Sequence, residues 1–264
     1  MRLIFLLFLS ATGLKAQAQD SVFVSQKEVA RILGVLASDS LKGRKNHSAE
    51  LEQAARFIAS EFGKDSLLYF FNDTSYFQPF ATKRLSKKER LALGTAPYNP
   101  RYMLRNVVGV LEGRSKPDEL VIFSAHYDHL GTNGRKRGDS IYNGANDNAS
   151  GTTAVLSLAH YFAQKRNNER TLVFCAFAGE ELGLLGSEAF VRNLNPGKIV
   201  AVINIEMIGD DNVFGKNSFF VTGSDYSNLL DIFQKNLQVE EFRVHGDPTP
   251  NAGCSSGPTT IRLP

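Results

Sequence analysis

The chain has 264 residues, and its 42% hydrophobic and 22% charged residues are typical of a globular protein, which excludes collagen-like, coiled-coil and disordered classes. Lysine plus arginine exceeds aspartate plus glutamate by only 30 to 27, and no long basic block occurs, so we expect no nucleic-acid partner. Two cysteines are too few for a disulfide framework or a cysteine-based zinc site.

The first eighteen residues have the pattern of a secretory signal peptide. Arg2 precedes an apolar run at 3–9, and Ala16 and Ala18 form a cleavage site of the small-x-small type. The apolar run is too short to span a membrane, and no cysteine follows it that could carry a lipid. We therefore expect a signal peptide at 1–18, a mature domain at 19–264 without a membrane anchor, and a periplasmic or secreted location.

The hydrophobic pattern of the mature chain begins with two helices. They are predicted at 25–38 and 48–62, with Ser25 and Ser48 as N-caps. An aromatic-rich strand is predicted at 66–80, and the basic segment that follows it is predicted to be an exposed loop.

Apolar strands then alternate with helices. Strands are expected at 105–111, 120–125, 171–177, 199–205 and 218–222, and helices at 149–165, 182–193 and 226–237. This alternation predicts an α/β fold, namely a three-layer sandwich with a mostly parallel central sheet flanked by helices on both faces.

Imidazole and carboxylate side chains follow the predicted buried strands. They are His126 and Asp128 after the strand at 120–125, Asp147 on the loop before the helix at 149–165, Glu180 and Glu181 after 171–177, and Glu206 after 199–205. In open α/β sheets, ligands bind beyond the carboxyl ends of the strands. Imidazole and carboxylate without thiolate suit a catalytic zinc or a similar divalent ion. The sequence therefore predicts a metal site.

The same residues suggest a division of roles. Asp147 lies on a glycine-rich loop and can bridge two ions, which together activate a water molecule and polarise a carbonyl. Of the adjacent pair Glu180 and Glu181, one can bind metal while the other acts as a general base. Asp128 can orient the imidazole of His126. The chemistry indicated is metal-assisted hydrolysis of an amide.

Four sequence blocks together resemble one family. They are His-Tyr-Asp at 126–128, Gly-Ala-Asn-Asp-Asn-Ala-Ser-Gly at 144–151, Gly-Glu-Glu-Leu-Gly-Leu-Leu-Gly-Ser at 179–187 and Asn-Ile-Glu-Met-Ile-Gly at 204–209. The family is that of the co-catalytic di-zinc exopeptidases, which include aminopeptidase Y and secreted bacterial leucyl aminopeptidases and share a fold with glutaminyl cyclases. Residues 36–44 also resemble the N-terminal segment of that family.

The resemblance implies two zinc ions and an aminopeptidase that acts on peptides with a free N-terminus. His126 and Glu206 would bind one ion, Glu181 the other, and Asp147 both. Glu180 would be the general base that activates the water bridging the two ions, giving the attacking hydroxide, and Asp128 would support His126.

The sequence departs from the family pattern at two places. The family usually has aspartate where Glu206 stands, although glutamate is also a competent oxygen ligand. The family's last ligand is a histidine in a Ser-Asp-His block, and no such block follows Cys254. We therefore expect the last ligand and the final strand and helix to be missing from this sequence. A one-nucleotide frameshift just after Cys254 is a hypothesis for this loss, because another reading frame of the tail can encode Ser-Asp-His. His245 could replace the missing histidine ligand, but this is not the outcome that we expect.

Two other functions stay open at this stage: a glutaminyl cyclase-like acyltransferase with one zinc, and an inactive or non-catalytic homologue that has lost metal ligands. The remaining residues of interest have plainer interpretations. His129 is expected to be a hydrogen-bonding loop residue rather than a metal ligand, His47 and His160 to be structural or solvated, and Cys175 to be a buried apolar residue.

Overall fold

The computed structural model describes residues 24–83, 99–135, 138–237 and 241–248. The helices in these ranges are α1 (Gln26–Leu36), α2 (Ala49–Lys64), α3 (Gly151–Lys165), α4 (Leu185–Val191) and α5 (Leu229–Asn236). The strands are β1 (Leu68–Tyr69), β2 (Phe77–Ala81), β3 (Met103–Leu111), β4 (Lys116–His126), β5 (Gly131–Thr132), β6 (Ile141–Tyr142), β7 (Arg170–Phe177), β8 (Ile199–Asn204), β9 (Ser218–Val221) and β10 (Arg243–Gly246). The predicted signal peptide, most of the basic loop and the tail with Cys254 lie outside the described residues.

Both predicted N-caps are confirmed. The Ser25 hydroxyl accepts a hydrogen bond from the amide of Glu28 at 3.1 Å, and the Ser48 hydroxyl accepts one from the amide of Leu51 at 3.0 Å. Each bond satisfies a donor that the first turn of a helix leaves without a partner.

The central sheet has the strand order β1-β3-β7-β4-β8, and β2 also pairs with β3. The α/β class is confirmed, and β4 runs parallel to both β7 and β8 as predicted. β3 runs antiparallel to β7, so the described sheet is mixed. The connection from β3 to β4 at 112–115 is too short for a crossover between parallel strands, which needs about a dozen residues or more. β3 therefore runs opposite to β4, and so also opposite to β7, which is parallel to β4.

Helices cover both faces of this sheet, as the three-layer prediction requires. Alternate residues of β7 point to opposite faces: Phe174 belongs to the core formed with α1, α2 and α3, whereas Val173 and Cys175 belong to the core that contains Phe190 of α4. Cys175 is fully buried as predicted, and burial raises the pKa of its thiol well above the usual value.

Several predicted elements differ from the structure in extent or in burial. The strand expected at 66–80 is interrupted between β1 and β2, where the Asn72 side chain accepts a hydrogen bond from the Thr74 amide and forms a turn. The helix expected from 182 begins only at 185, because Gly183 and Leu184 have left-handed backbone angles. β8 was expected to be buried, but Val200 is 53% exposed, since β8 pairs only with β4 among the described strands.

The C-terminal part of the described chain forms a smaller unit. β9 and β10 pair in parallel as a separate two-stranded sheet, and α5 occupies the middle of the helix predicted at 226–237. Among the described residues, no helix combines the length and the hydrophobicity that a membrane span requires.

Candidate metal centre

The carboxyl ends of the three parallel strands meet at one edge of the sheet. His126 is the last residue of β4, Glu180 and Glu181 follow β7, and Glu206 follows β8. His126 Nε2 lies 3.1 Å from Asp147 Oδ1 and 3.2 Å from Glu206 Oε1. The structure therefore brings the predicted residues together.

Asp147 also faces a second group of side chains. Its other oxygen, Oδ2, lies 3.9 Å from His129 Nδ1, which in turn lies 2.9 Å from Glu181 Oε1. His129 forms the hydrogen bond that was expected of it, but its partner is Glu181, which places His129 inside the site. Each oxygen of the Asp147 carboxylate thus faces a different imidazole.

The arrangement fits one or two divalent cations. Donor atoms about 2.0–2.2 Å from one tetrahedral zinc ion are about 3.3 Å apart, close to the spacing around His126 Nε2. Glu206 Oε2 is buried and has no hydrogen-bond partner among the described residues, as a carboxylate oxygen aimed at a cation would be. Five carboxylates surround two imidazoles here: Asp128, Asp147, Glu180, Glu181 and Glu206.

The protonation of His126 is set by these neighbours. Burial alone would lower the pKa of its imidazole, but the neighbouring carboxylates of Asp128, Asp147 and Glu206 raise that pKa to about 12. The hydrogen bond to His126 in turn lowers the pKa of Asp147. A cation that takes the Nε2 lone pair must displace a proton, because a ligating imidazole is neutral.

Asp128 connects the two predicted glutamates to the end of β4. Its buried carboxylate accepts hydrogen bonds from the amides of Glu180 and Glu181, both at 3.2 Å, and from Asn46 Nδ2 at 2.6 Å. Its main-chain oxygen lies 3.1 Å from His126 Nδ1, whereas the nearer carboxylate oxygen lies at 3.7 Å. Asp128 thus orients the imidazole chiefly through its carbonyl, while its carboxylate positions the glutamates.

Glu180 lies beside the proposed metal ligands His126 and Glu206. It lines a pocket together with Phe177, Leu184, His126 and Glu206. Burial raises the pKa of Glu180, an effect that the positive charge of His126 opposes. A carboxylate with a raised pKa in a pocket is suited to accept and return a proton.

The loop that carries Asp147 is one wide helical turn, Ala145–Ser150, ahead of α3. Gly144 precedes this turn with φ +62°. A Cβ at this position would lie 2.4 Å from the main-chain oxygen of Asp147 and 2.6 Å from Cδ2 of His129. The buried Asn148 side chain donates a hydrogen bond to the main-chain oxygen of Ile205 at 3.0 Å and accepts one from the main-chain amide of Met207 at 3.3 Å. These bonds fix Asp147 relative to Glu206.

Arg44 holds the backbone around this site, a role that the sequence did not predict, although the segment 36–44 was noted. Its guanidinium is fully buried and donates to four main-chain oxygens: Tyr127 at 2.8 Å, Asn143 at 2.7 Å, Gly144 at 2.9 Å, and Leu36. Burial lowers the pKa of Arg44 to about 10, with the charges of Asp128 and Asp147 opposing this, so the group stays charged near neutral pH. Arg44 therefore joins the end of β4 to the Asp147 loop.

The other histidines lie outside this site. His47 contacts the main-chain oxygen of Pro100 at 2.8 Å, and His160 contacts Asp65 at 2.8 Å, in line with the structural roles expected of them. His245 lies in β10 with its ring stacked on Phe214, 4.0 Å between centroids. In the described part of the chain, His129, Asp147 and Glu181 form a group of donors close enough to share a cation, and His245 does not belong to it.

Residues 106–257, more than half of the chain, match the sequence profile described as "Peptidase family M28". The chain belongs to peptidase family M28. It is 37% identical over 110 residues to a "Probable zinc metalloprotease" of Pyrenophora teres f. teres, covering 40% of this chain and 23% of that protein. It is 31% identical over 144 residues to "Aminopeptidase YwaD" of Bacillus subtilis, covering 53% of this chain and 28% of that protein.

The M28 chain thus spans about a quarter of the length of these curated relatives. Its fold is similar to that of the crystal structure of LapB from Legionella pneumophila, with a TM-score of 0.59 at 21% identity, covering 84% of this chain and 55% of that one.

Replacement of Arg44 by lysine tests its role in holding the site. We expect Arg44→Lys to lower the free energy of unfolding by about 2–4 kcal/mol, because one ammonium cannot satisfy four buried carbonyls. Urea denaturation followed by circular dichroism measures the change. Arg56→Lys, at an exposed position paired with Glu52, is the matched control and should stay within about 0.5 kcal/mol of the parent. Equal stability of the two variants would contradict the assigned role.

Proposed function

We propose that the chain is the catalytic domain of a zinc-dependent aminopeptidase, which removes the N-terminal residue from peptides. The observation that carries this proposal is the Asp147 carboxylate, whose two oxygens face two separate groups of metal-binding side chains with Glu180 close by. Membership of family M28 and the names of the zinc metalloprotease and aminopeptidase relatives support it.

The proposed ligands divide into two sets. His126, Glu206 and Asp147 would hold one zinc ion, and Glu181 would hold the second together with Asp147. The extra methylene of Glu206 does not prevent this, since its Oε1 still lies 3.2 Å from His126 Nε2. Bound zinc supplies Lewis acidity, which polarises a carbonyl oxygen and lowers the pKa of water.

The protein's own contribution to the chemical step is proton transfer by Glu180. Its carboxylate accepts a proton from the water that attacks the scissile carbonyl carbon. It then returns this proton to the amine nitrogen as the carbon–nitrogen bond breaks. Asp128 keeps Glu180 in place through the Glu180 amide, and Arg44 keeps the loop of Asp147 in place.

Replacement of Glu180 by glutamine separates proton transfer from metal binding. We expect Glu180→Gln to reduce kcat for leucyl p-nitroanilide about 10²–10⁴-fold, because an amide cannot accept the proton. Zinc content, measured by mass spectrometry of the dialysed protein, should stay at the parent value. The control is Glu188→Gln, a more exposed glutamate that pairs with Arg192 and should keep full turnover. Unchanged turnover in Glu180→Gln would remove Glu180 from the role of base.

A second assay distinguishes the two other functions considered for this sequence. With a peptide that begins with glutamine, an aminopeptidase releases free glutamine, whereas a cyclase releases ammonia and leaves a pyroglutamyl peptide. A non-catalytic homologue would give neither product. Formation of the pyroglutamyl peptide alone would replace the proposed activity by that of an acyltransferase.

We further propose that the protein is exported to the periplasm or secreted, with 19–264 as its mature exopeptidase domain. The support is the basic residue, apolar run and small-residue cleavage site within residues 1–18. N-terminal sequencing of the protein recovered from its host should give Gln19 as the first residue. Recovery of an unprocessed chain beginning at Met1 from the cytoplasm would contradict this.

A further inference from the structure

We propose that His129 is a direct ligand of the second zinc ion and coordinates it through Nδ1, together with Asp147 and Glu181. This assignment rests on the proposed function, because it requires a metal ion between those two carboxylates. It gives the second ion three side-chain ligands, equal in number to those of the first. Neither the sequence pattern nor the resemblance to di-zinc exopeptidases assigned this role to His129.

The first support is the spacing of the donor atoms. His129, Asp147 and Glu181 each offer one ligand atom, and these atoms lie within 4.8 Å of one another. The distances from His129 Nδ1 are 2.9 Å to Glu181 and 3.9 Å to Asp147, on either side of the roughly 3.3 Å expected between two ligands of a tetrahedral zinc ion. The group around His126 has the same chemistry, one imidazole and two carboxylates.

The second support is the way the fold holds the imidazole. The amide of His129 donates to the main-chain oxygen of Arg44 at 3.2 Å, and the ring edge packs against Gly144, which has no side chain. The His129 side chain is only 10% exposed. Its Nδ1 therefore faces Asp147 and Glu181 in a position that the backbone fixes on both sides.

The competing role is purely structural. In that role the Nδ1 hydrogen of His129 would donate to Glu181 and only orient this carboxylate, which would itself bind the metal. The two roles make opposite demands on the atom at the Nδ1 position: a ligand needs a lone pair, whereas an orienting group needs a hydrogen.

Two substitutions separate these demands, because the terminal atoms of asparagine and aspartate are as many bonds from Cα as His129 Nδ1. His129→Asn retains an N–H donor for Glu181 but is a weak zinc ligand. His129→Asp retains an anionic oxygen ligand but has no hydrogen to donate. Zinc is the probe, and its stoichiometry and the affinity of the second ion are measured by titration in competition with a chromophoric chelator.

If His129 is a ligand, the wild-type protein and His129→Asp should bind two zinc ions, whereas His129→Asn should lose more than 100-fold in affinity for the second. Loss of an orienting hydrogen bond costs about 10–100-fold. His160→Asn is the matched control, since His160 also contacts a carboxylate, Asp65, but lies outside the site. It should bind two ions as tightly as the wild type.

The opposite pattern, with the second ion retained in His129→Asn, would overturn the ligand assignment. If both variants lose the second ion, cobalt-loaded His129→Cys decides. A thiolate-to-cobalt charge-transfer band absent from the wild type supports the assignment, and the lack of such a band overturns it. A wild-type protein with one zinc ion would overturn the second site alone, and one without zinc would overturn the proposed function as well.

Discussion

The position of one carboxylate, that of Asp147, governs the geometry of the whole site. Its two oxygens face His126 at 3.1 Å and His129 at 3.9 Å. The loop around it explains how it is held. Gly144 allows the backbone turn, Asn148 ties the loop to the segment of Glu206, and Arg44 ties it to the end of β4. The residues without metal-binding chemistry are thus as necessary to the arrangement as the ligands.

The site concentrates negative charge at a partly buried edge, which is unfavourable unless each carboxylate finds a partner. Asp128 is satisfied by two amides and by Asn46, and Arg44 adds a buried positive charge nearby. Glu206 keeps one buried oxygen without a partner in the described residues. A divalent cation compensates charge of this kind most directly, so the electrostatics and the donor chemistry lead to the same conclusion.

The sequence was sufficient to predict the residues at the ends of β4, β7 and β8, because the carboxyl ends of parallel strands converge whatever the details of packing. It was not sufficient for His129, whose contact with Glu181 joins residues far apart in the chain through the packing of the loop after β4. Arg44 was missed for a similar reason, since its partners are main-chain oxygens that have no signature in side-chain types. The direction of β3 was predictable in principle from the short connection at 112–115, and the exposure of β8 depended on its place at the edge of the described sheet.

The role of Asp147 as a ligand of two zinc ions is tested most directly by anomalous diffraction. The crystals are of the full chain grown with zinc, and data are recorded on both sides of the zinc absorption edge. If Asp147 bridges two zinc ions, two peaks are expected, each about 2.0–2.2 Å from a different oxygen of Asp147. One should also contact His126 and Glu206, and the other should contact Glu181. Peaks that avoid Asp147, or no peak at this edge of the sheet, would show that Asp147 does not bridge two zinc ions.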